Sequence, residues 1–321
     1  MEYFVRLIKI KRVRAVLLLF AIFFLWWLWL NPLNPDSPPA NQQRELWSSM
    51  YTILALLGSV WGMMIFRFLG GSKNILARAI LGFSLGLLFQ SFGQASFSYY
   101  AFIRHVAIPY PSLGDIGFLG SIPCYIYGIL QLAKASVGEV SLKSFHHNAH
   151  AFFIPTVMLF LSYYIFLRDY VFDWSNPLKV FLDFGYPLGD AIYVSIVILV
   201  FLLSRKIFGG ITKSPILFLA FALAVQYISD YTFLYQASHG TWQAGRINDL
   251  MYSIAYFLMT IGIIYVGEVL GRMKEMDIYG NHIVFASASE DSGLVVENPE
   301  LADALRKGFM AMAFKRMGFG V

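Results

Sequence analysis

Apolar residues run along this chain in long blocks, and polar or basic residues break one block from the next. Blocks near 13–31, 47–69, 79–103, 114–134, 149–167, 179–204, 215–237 and 249–270 each approach the roughly 20 apolar residues that a helix needs to cross a bilayer. The pattern predicts an all-α fold, a polytopic membrane bundle of about eight transmembrane helices over residues 1–271. The connections are short, so neighbouring helices should be antiparallel. Residues 31–39 hold Pro32, Pro35, Pro38 and Pro39; proline removes a backbone donor and crowds the preceding turn, so this segment marks the end of the first block. The 149–167 block is short, and without it the orientation of everything that follows would reverse.

Basic residues predict which way the helices run, because short cytoplasmic loops collect Lys and Arg. With the N-terminus inside, 13 basic residues fall on the cytoplasmic side and 5 (Arg44, Arg104, Arg168, Lys179 and Arg246) on the other, before the tail is counted. Both termini are then cytoplasmic. Arg6, Lys9, Lys11, Arg12 and Arg14 precede an apolar run that ends in Trp26, Trp27 and Trp29 without a small-residue cleavage site, which reads as a retained signal anchor. After the last block, 272–298 is polar and reads as a loosely ordered linker. Asn298, Pro299 and Glu300 then offer a cap, a first-turn proline and a first-turn acid, which predicts an amphipathic helix near 299–317 in a cytoplasmic tail spanning 272–321. Such a helix would lie on the inner leaflet or against a cytoplasmic signalling partner.

Composition agrees with a lipid environment. Of 321 residues, 58% are hydrophobic and 13% charged, with a mean hydropathy of +0.62; a soluble domain carries roughly a quarter charged residues. The net charge of +5 is spread over loops between apolar blocks, which argues for helix orientation and against a nucleic-acid partner. Cys124 is the only cysteine, so neither an intrachain disulfide nor a thiolate metal site can form.

Candidate chemistry lies in the later blocks. Gly114-Asp115-Ile116-Gly117-Phe118, Gly189-Asp190-Ala191-Ile192-Tyr193 and Asn248-Asp249-Leu250-Met251-Tyr252 share an acid followed three residues later by an aromatic ring, on the same helical face. Asp230-Tyr231-Thr232-Phe233 repeats the pattern in a helix of opposite direction. Asp115 and Asp249 start their helices, where an acid is stabilising anyway, and Ser112 to Asp115 fits a capping box. Asp190 and Asp230 lie deeper. An ionised acid inside a bilayer costs at least ~2.5–3.5 kcal/mol, so it should face the bundle interior, either as a ligand or proton site or as part of a packing network. Gly185, Pro187 and Gly189 predict a helix break beside Asp190, which would free backbone groups toward a polar cavity. Gln90, Gln94, Ser91, Ser96 and Ser98 form one polar stripe, and Gln226, Tyr227 and Ser229 another. Together with Tyr99, Tyr186, Tyr193, Tyr231 and Tyr252, these would either line an outward-facing pocket for a small molecule or cation or serve ordinary interhelical hydrogen bonding.

Enzymatic and cofactor chemistry is not indicated. No phosphate-binding loop, nucleophile elbow or dinucleotide fingerprint is present. Each lysine maps to a loop, a helix end or the tail, which argues against covalent retinal, and no histidine lies mid-membrane to ligate haem. His147 and His150 could share one helix face and hold a metal, or simply start a solvated helix. The expectation is no catalytic residue, no cofactor and no bound metal.

The segments Pro111-Ser112-Leu113-Gly114-Asp115, Tyr186-Pro187-Leu188-Gly189-Asp190, Ser229-Asp230-Tyr231 and Gly240-Thr241-Trp242-Gln243-Ala244-Gly245, with Asp249 after them, resemble a bacterial region in motif and order. It is the multi-helix N-terminal membrane sensory region found ahead of GGDEF and EAL cyclic-di-GMP domains and sometimes of histidine kinases. The resemblance covers roughly residues 47–270. It implies a bacterial inner-membrane, multi-pass protein with a signal-input role, and Asp115, Asp190, Asp230 and Asp249 as the matching site positions. The tail carries no GGDEF or EAL signature, so either a signal passes to a separate cytoplasmic protein or the chain is a stand-alone or truncated relative. The ligand-binding site expected on these grounds is Asp115, Asp190, Asp230, Asp249, Gln94, Tyr186, Tyr193, Gln226 and Tyr252. An ion-coupled transporter, with buried acids between repeated helices, and a non-catalytic subunit of a membrane complex are the alternatives.

Overall fold

A computed structural model describes residues 8, 10–31, 38–145, 149–207 and 213–287. The chain divides into two compact units, Met1–Glu268 and Val269–Val321. Every element described is helical: α1 (Lys11–Leu30), α2 (Pro38–Met50), α3 (Ile53–Phe68), α4 (Ile75–Ser98), α5 (Leu113–Phe145), α6 (Ala149–Ser162), α7 (Pro177–Ile207), α8 (Lys213–Ser238) and α9 (Ile247–Ser287). Short π-helical segments, Tyr99–Arg104 and Tyr163–Leu167, continue α4 and α6.

Among the described residues, seven helices are long and apolar enough to cross a membrane: Lys11–Leu30, Ala40–Phe68 (α2 with α3), Ile75–Arg104, Leu113–Ala135, Pro177–Leu202, Pro215–Ser238 and Ile247–Gly271. The chain is therefore a multi-pass helical membrane protein. The expected span at 149–167 is a shorter apolar helix, Phe152–Leu167. Two boundaries differ from expectation. Helix α2 already begins at Pro38, because proline is tolerated in a first turn, where its missing N–H has no helical partner to lose. Helix α9 continues to Ser287, so residues 272–287 are helical where polarity suggested a linker. The amphipathic helix expected near 299–317 lies outside the described residues, as do His146 and His147.

Specific polar contacts hold the first helices in place. Arg44, only 3% exposed, sends Nη2 to the Leu30 carbonyl at 3.2 Å, placing a cation on the C-terminal carbonyls of α1, where the helix dipole favours it. Trp47 Nε1 donates to the Phe23 carbonyl (2.9 Å) and Trp27 Nε1 to the Gly245 carbonyl (3.0 Å). Asn74 caps α4 by accepting from the backbone N–H groups of Leu76 and Ala77. Thr260 of α9 donates to the Leu54 carbonyl of α3 at 3.0 Å.

Helices α4 and α5 approach closely, and glycine is the reason. A Cβ built on Gly117 would lie 2.5 Å from the Gly93 nitrogen, and one on Gly82 would lie 2.6 Å from the Gly128 Cα. Lipid tails are as apolar as side chains, so helices in a bilayer gain little from hydrophobic burial. Small residues that let backbones touch supply the association instead. This closed seam fixes the starts of α5 and the ends of α4 beside the site described next.

Candidate functional site

A cavity of about 660 Å3 lies inside the Met1–Glu268 unit, and all four acids singled out in the sequence line it. Asp115 comes from α5, Asp190 from α7, Asp230 from α8 and Asp249 from α9, with Gln94, Tyr186 and Tyr252 also in the wall. The acids are interior: Asp115, Asp190 and Asp249 are 7%, 2% and 3% exposed. This differs from a cluster displayed on an outer surface. The carboxyls sit in a hydrogen-bonded network because the bundle offers donors that lipid does not.

Each acid has its own solution. Asp115 closes the expected capping box: its Oδ2 accepts from the Ser112 backbone N–H (2.6 Å) and hydroxyl (3.0 Å), while the Ser112 hydroxyl accepts from the Gly114 N–H. Its Oδ1 accepts from the Tyr186 hydroxyl of α7 at 2.7 Å, so the cap is also a tie between helices. Asp249 accepts from the Gly245 N–H at 2.7 Å and from the hydroxyls of Ser48 and Tyr51. Gly245 has a φ of +70°, a left-handed conformation that glycine adopts without strain, and its Cα lies against Arg44.

Asp230 takes three donors. Tyr193 of α7 (2.9 Å) bonds Oδ2, while Gln226 of α8 (3.0 Å) and Tyr252 of α9 (2.9 Å) bond Oδ1. The repeated acid-to-ring spacing thus works across helices: Tyr193 and Tyr252 each follow an acid by three residues yet serve the acid of a neighbouring helix. Tyr193 and Gln226 act as these donors from behind and are not in the cavity wall, whereas Phe118 and Phe233, the rings after Asp115 and Asp230, are. Asp190 is the exception. Among the described residues no hydrogen-bond donor meets its carboxyl, and the charge acting on it is that of Asp230.

Other expectations need correction. Helix α7 runs unbroken through Pro187; the Pro187 carbonyl is instead an acceptor for Ser162 Oγ (2.6 Å) and the Tyr231 hydroxyl (3.2 Å), which ties α6, α7 and α8 together. That contact occupies Tyr231 outside the cavity wall. Tyr99 lies in the π-helical end of α4, 40% exposed and edge-on to Tyr100, outside the cavity wall. Gln94 donates to the Ser48 carbonyl (3.0 Å), and Gln90 bridges Ser121 (2.8 Å) and Tyr256 (2.9 Å).

A second polar node escaped the sequence reading. Asp183 on α7 accepts from Lys179 Nζ (2.6 Å), from the Tyr170 hydroxyl (2.7 Å) and from the Tyr110 hydroxyl (2.7 Å). The Lys179 ammonium also lies 5.7 Å and 5.9 Å from the Tyr110 and Tyr170 ring centres, within reach of a cation–π attraction. All four residues line the cavity. Burial and the bond to Asp183 push the Tyr110 hydroxyl well above its usual range and Tyr170 up to about 12, so both remain donors at neutral pH. The signal available in sequence was the Lys179/Asp183 spacing of four residues, which places the pair on one helix face. Tyr51, Tyr256 and Trp242 complete the wall; the Tyr51 and Tyr256 rings stack at 5.9 Å. The Trp242 Nε1 has no partner among the described residues.

No group of three or more His, Cys, Asp or Glu able to hold a metal occurs among the described residues. Comparison of the chain with models of known families, with curated proteins and with solved structures finds no match.

Proposed function

We propose that this multi-pass membrane protein is a non-catalytic bacterial inner-membrane sensor, which binds a small ligand among its aspartates and tyrosines and signals to a cytoplasmic partner. The observation that carries the reading is that Asp115, Asp190, Asp230 and Asp249, on four different helices, line one cavity of about 660 Å3. That volume suits a small-molecule site. Packing alone would be served by filling the space. The resemblance to sensory regions ahead of cyclic-di-GMP domains points the same way, since it marks these same four positions.

Access from the extracytoplasmic side is supported by the wall itself. Ile108, Pro109 and Tyr110 come from the α4–α5 connection, Tyr170 from the α6–α7 connection, and Gly240 and Trp242 from the α8–α9 connection. These three connections converge on one cavity, which supports a return pass by α6 and hence eight passes with both termini cytoplasmic. Tyr110 is 45% exposed, consistent with an opening at that end. Helix α9 carries Asp249 and Tyr252 in the wall and runs on to Ser287, so a ligand that pulls on these side chains bears on a helix leading toward the tail. A ligand shifts such an equilibrium only by its differential contacts in the two states.

The transporter reading has one specific observation in its favour, the paired deep acids Asp190 and Asp230 between packed helices, as ion-coupled carriers use. A thermal-shift screen of small molecules on the purified protein and on a variant with the four aspartates replaced by asparagine tests ligand binding. Uptake of each hit into proteoliposomes then separates the readings: binding without flux supports a sensor, and flux lost in Asp190→Asn supports a transporter. No hit on the unmodified protein would remove both in favour of a structural subunit.

A further inference from the structure

The cavity wall contains an imbalance that its own residues leave uncorrected. Five carboxyls line it, those of Asp115, Asp183, Asp190, Asp230 and Asp249, against one basic residue among the described lining, Lys179. Lys179 is committed to Asp183 at 2.6 Å. Asp115, Asp230 and Asp249 are satisfied by hydroxyl, amide and backbone donors. Asp190 has none. It is 2% exposed, faces the cavity, and stands within the electrostatic reach of Asp230. A carboxyl that faces a cavity without a protein donor or countercharge among the described residues gains from a ligand that brings one.

We infer that the cavity takes an organic ammonium, with the positive group seated at Asp190 beside Asp230 and an apolar body lying against the aromatic wall. This rests on the ligand-binding reading above and specifies its chemistry. Phe118, Phe166, Phe233 and Trp242 supply apolar surface, and the faces of Tyr186 and Tyr252 are electron-rich in the sense that attracts cations. An ammonium brings both missing elements, donors for Asp190 and positive charge between two acids. An anion meets four carboxyls in the wall that have no basic partner among its described residues. A bare divalent metal finds no group of three ligands among the described residues, and a neutral ligand of the same shape supplies no countercharge.

The test uses the full chain in nanodiscs and matched probes: 2-phenylethylammonium and tetraethylammonium as cations, 2-phenylethanol as the neutral counterpart, phenylacetate as the anion, and calcium and sodium chloride as inorganic cations. Calorimetry is expected to show at least ~10-fold tighter binding of an organic ammonium than of 2-phenylethanol, a difference of about 1.4 kcal/mol. Asp190→Asn should remove that preference, and Asp173→Asn, an acid on the loop outside the cavity wall, should keep it. If Asp190→Asn does not fold, Asp230→Asn takes its place, and the charge preference of the unmodified protein decides by itself. Binding of the neutral or anionic probe with no response to either ammonium overturns the inference and leaves the ligand-binding reading standing. Saturation by calcium or sodium alone also overturns it. Silence in every arm overturns both.

Discussion

Between α4 and α5 a methyl added to Gly82 would lie 2.6 Å from the Gly128 Cα, yet a short way along, the same two helices contribute Gln90, Gln94 and Asp115 to walls that stand apart around about 660 Å3. One region is sealed by the absence of side chains, and the other is kept open by side chains that hold each other. In lipid, contact between backbones is what binds helices, so the glycine seam can carry stability without any polar group. The cavity spends some of that stability on polar groups that must find partners inside the protein. All but one of its acids do, and the one that does not is the position where a ligand has most to offer. The contrast implies that changes in the seam should act on folding, and a change at the donorless acid of the cavity on binding.

The largest expected effect is in the seam. Gly117→Leu puts a side chain where the obstruction is the Gly93 nitrogen and the Phe89 carbonyl at 2.5 Å, and backbone cannot step aside as a side-chain end can. Overpacking costs about 1–3 kcal/mol, which should appear as a lower Tm; an unchanged melting curve would erase the contrast. Asp190→Asn should show the opposite signature, binding of an organic ammonium weakened at least ~10-fold with Tm preserved or raised, because an amide of the same shape replaces a carboxyl that has no donor among the described residues. A large fall in Tm with binding intact would make Asp190 part of the scaffold. Tyr186→Phe comes next: it removes the α7 donor from Asp115 while Ser112 remains, so a loss of about 1 kcal/mol is expected in thermal denaturation, with the seam unaffected.

A smaller effect is spectroscopic. Tyr170 is pushed up to about 12, first by burial and then by its bond to Asp183. A free tyrosine titrates near ~10. The fold therefore favours the neutral phenol, so the contribution of this bond is intact below pH about 10 and is lost as pH climbs through about 12. Tyrosinate absorbance of the intact protein and of Tyr170→Phe should coincide up to about pH 10 and separate only above it. Separation already at pH 10 would mean that water reaches this side of the cavity freely. The least effect belongs to Asp173→Asn. That acid is held below the usual carboxylate range by the hydroxyl and backbone N–H of Ser175, within its own loop, and binding should not change when it is replaced.

Several features were legible from residue order alone, and for identifiable reasons. Ser112 and Asp115 are three positions apart, and a capping box is a local structure that needs nothing else. The deep placement of Asp190 and Asp230 followed from counting apolar residues on either side of each. The glycine seam has only a local trace in residue order, Gly82 and Gly86 being four apart, and which helix they face is not written in that spacing. Tyr193 illustrates the limit best: its position suggests a partner in Asp190, and its hydroxyl goes to Asp230 on the next helix. The Asp183 node draws on residues 110, 170, 179 and 183, and only its Lys179/Asp183 half has a local spacing to reveal it.

Residue order by itself determined that this chain is helical, crosses a membrane repeatedly and carries acids at positions where lipid would not tolerate them, because hydropathy and periodicity are properties of consecutive residues. Only the tertiary structure decided that four acids from four helices share one cavity and that, among the described residues, Asp190 alone of the four is left without a donor. The reason is that a hydrogen bond between helices depends on rotation and separation, which neighbours distant in sequence set by packing.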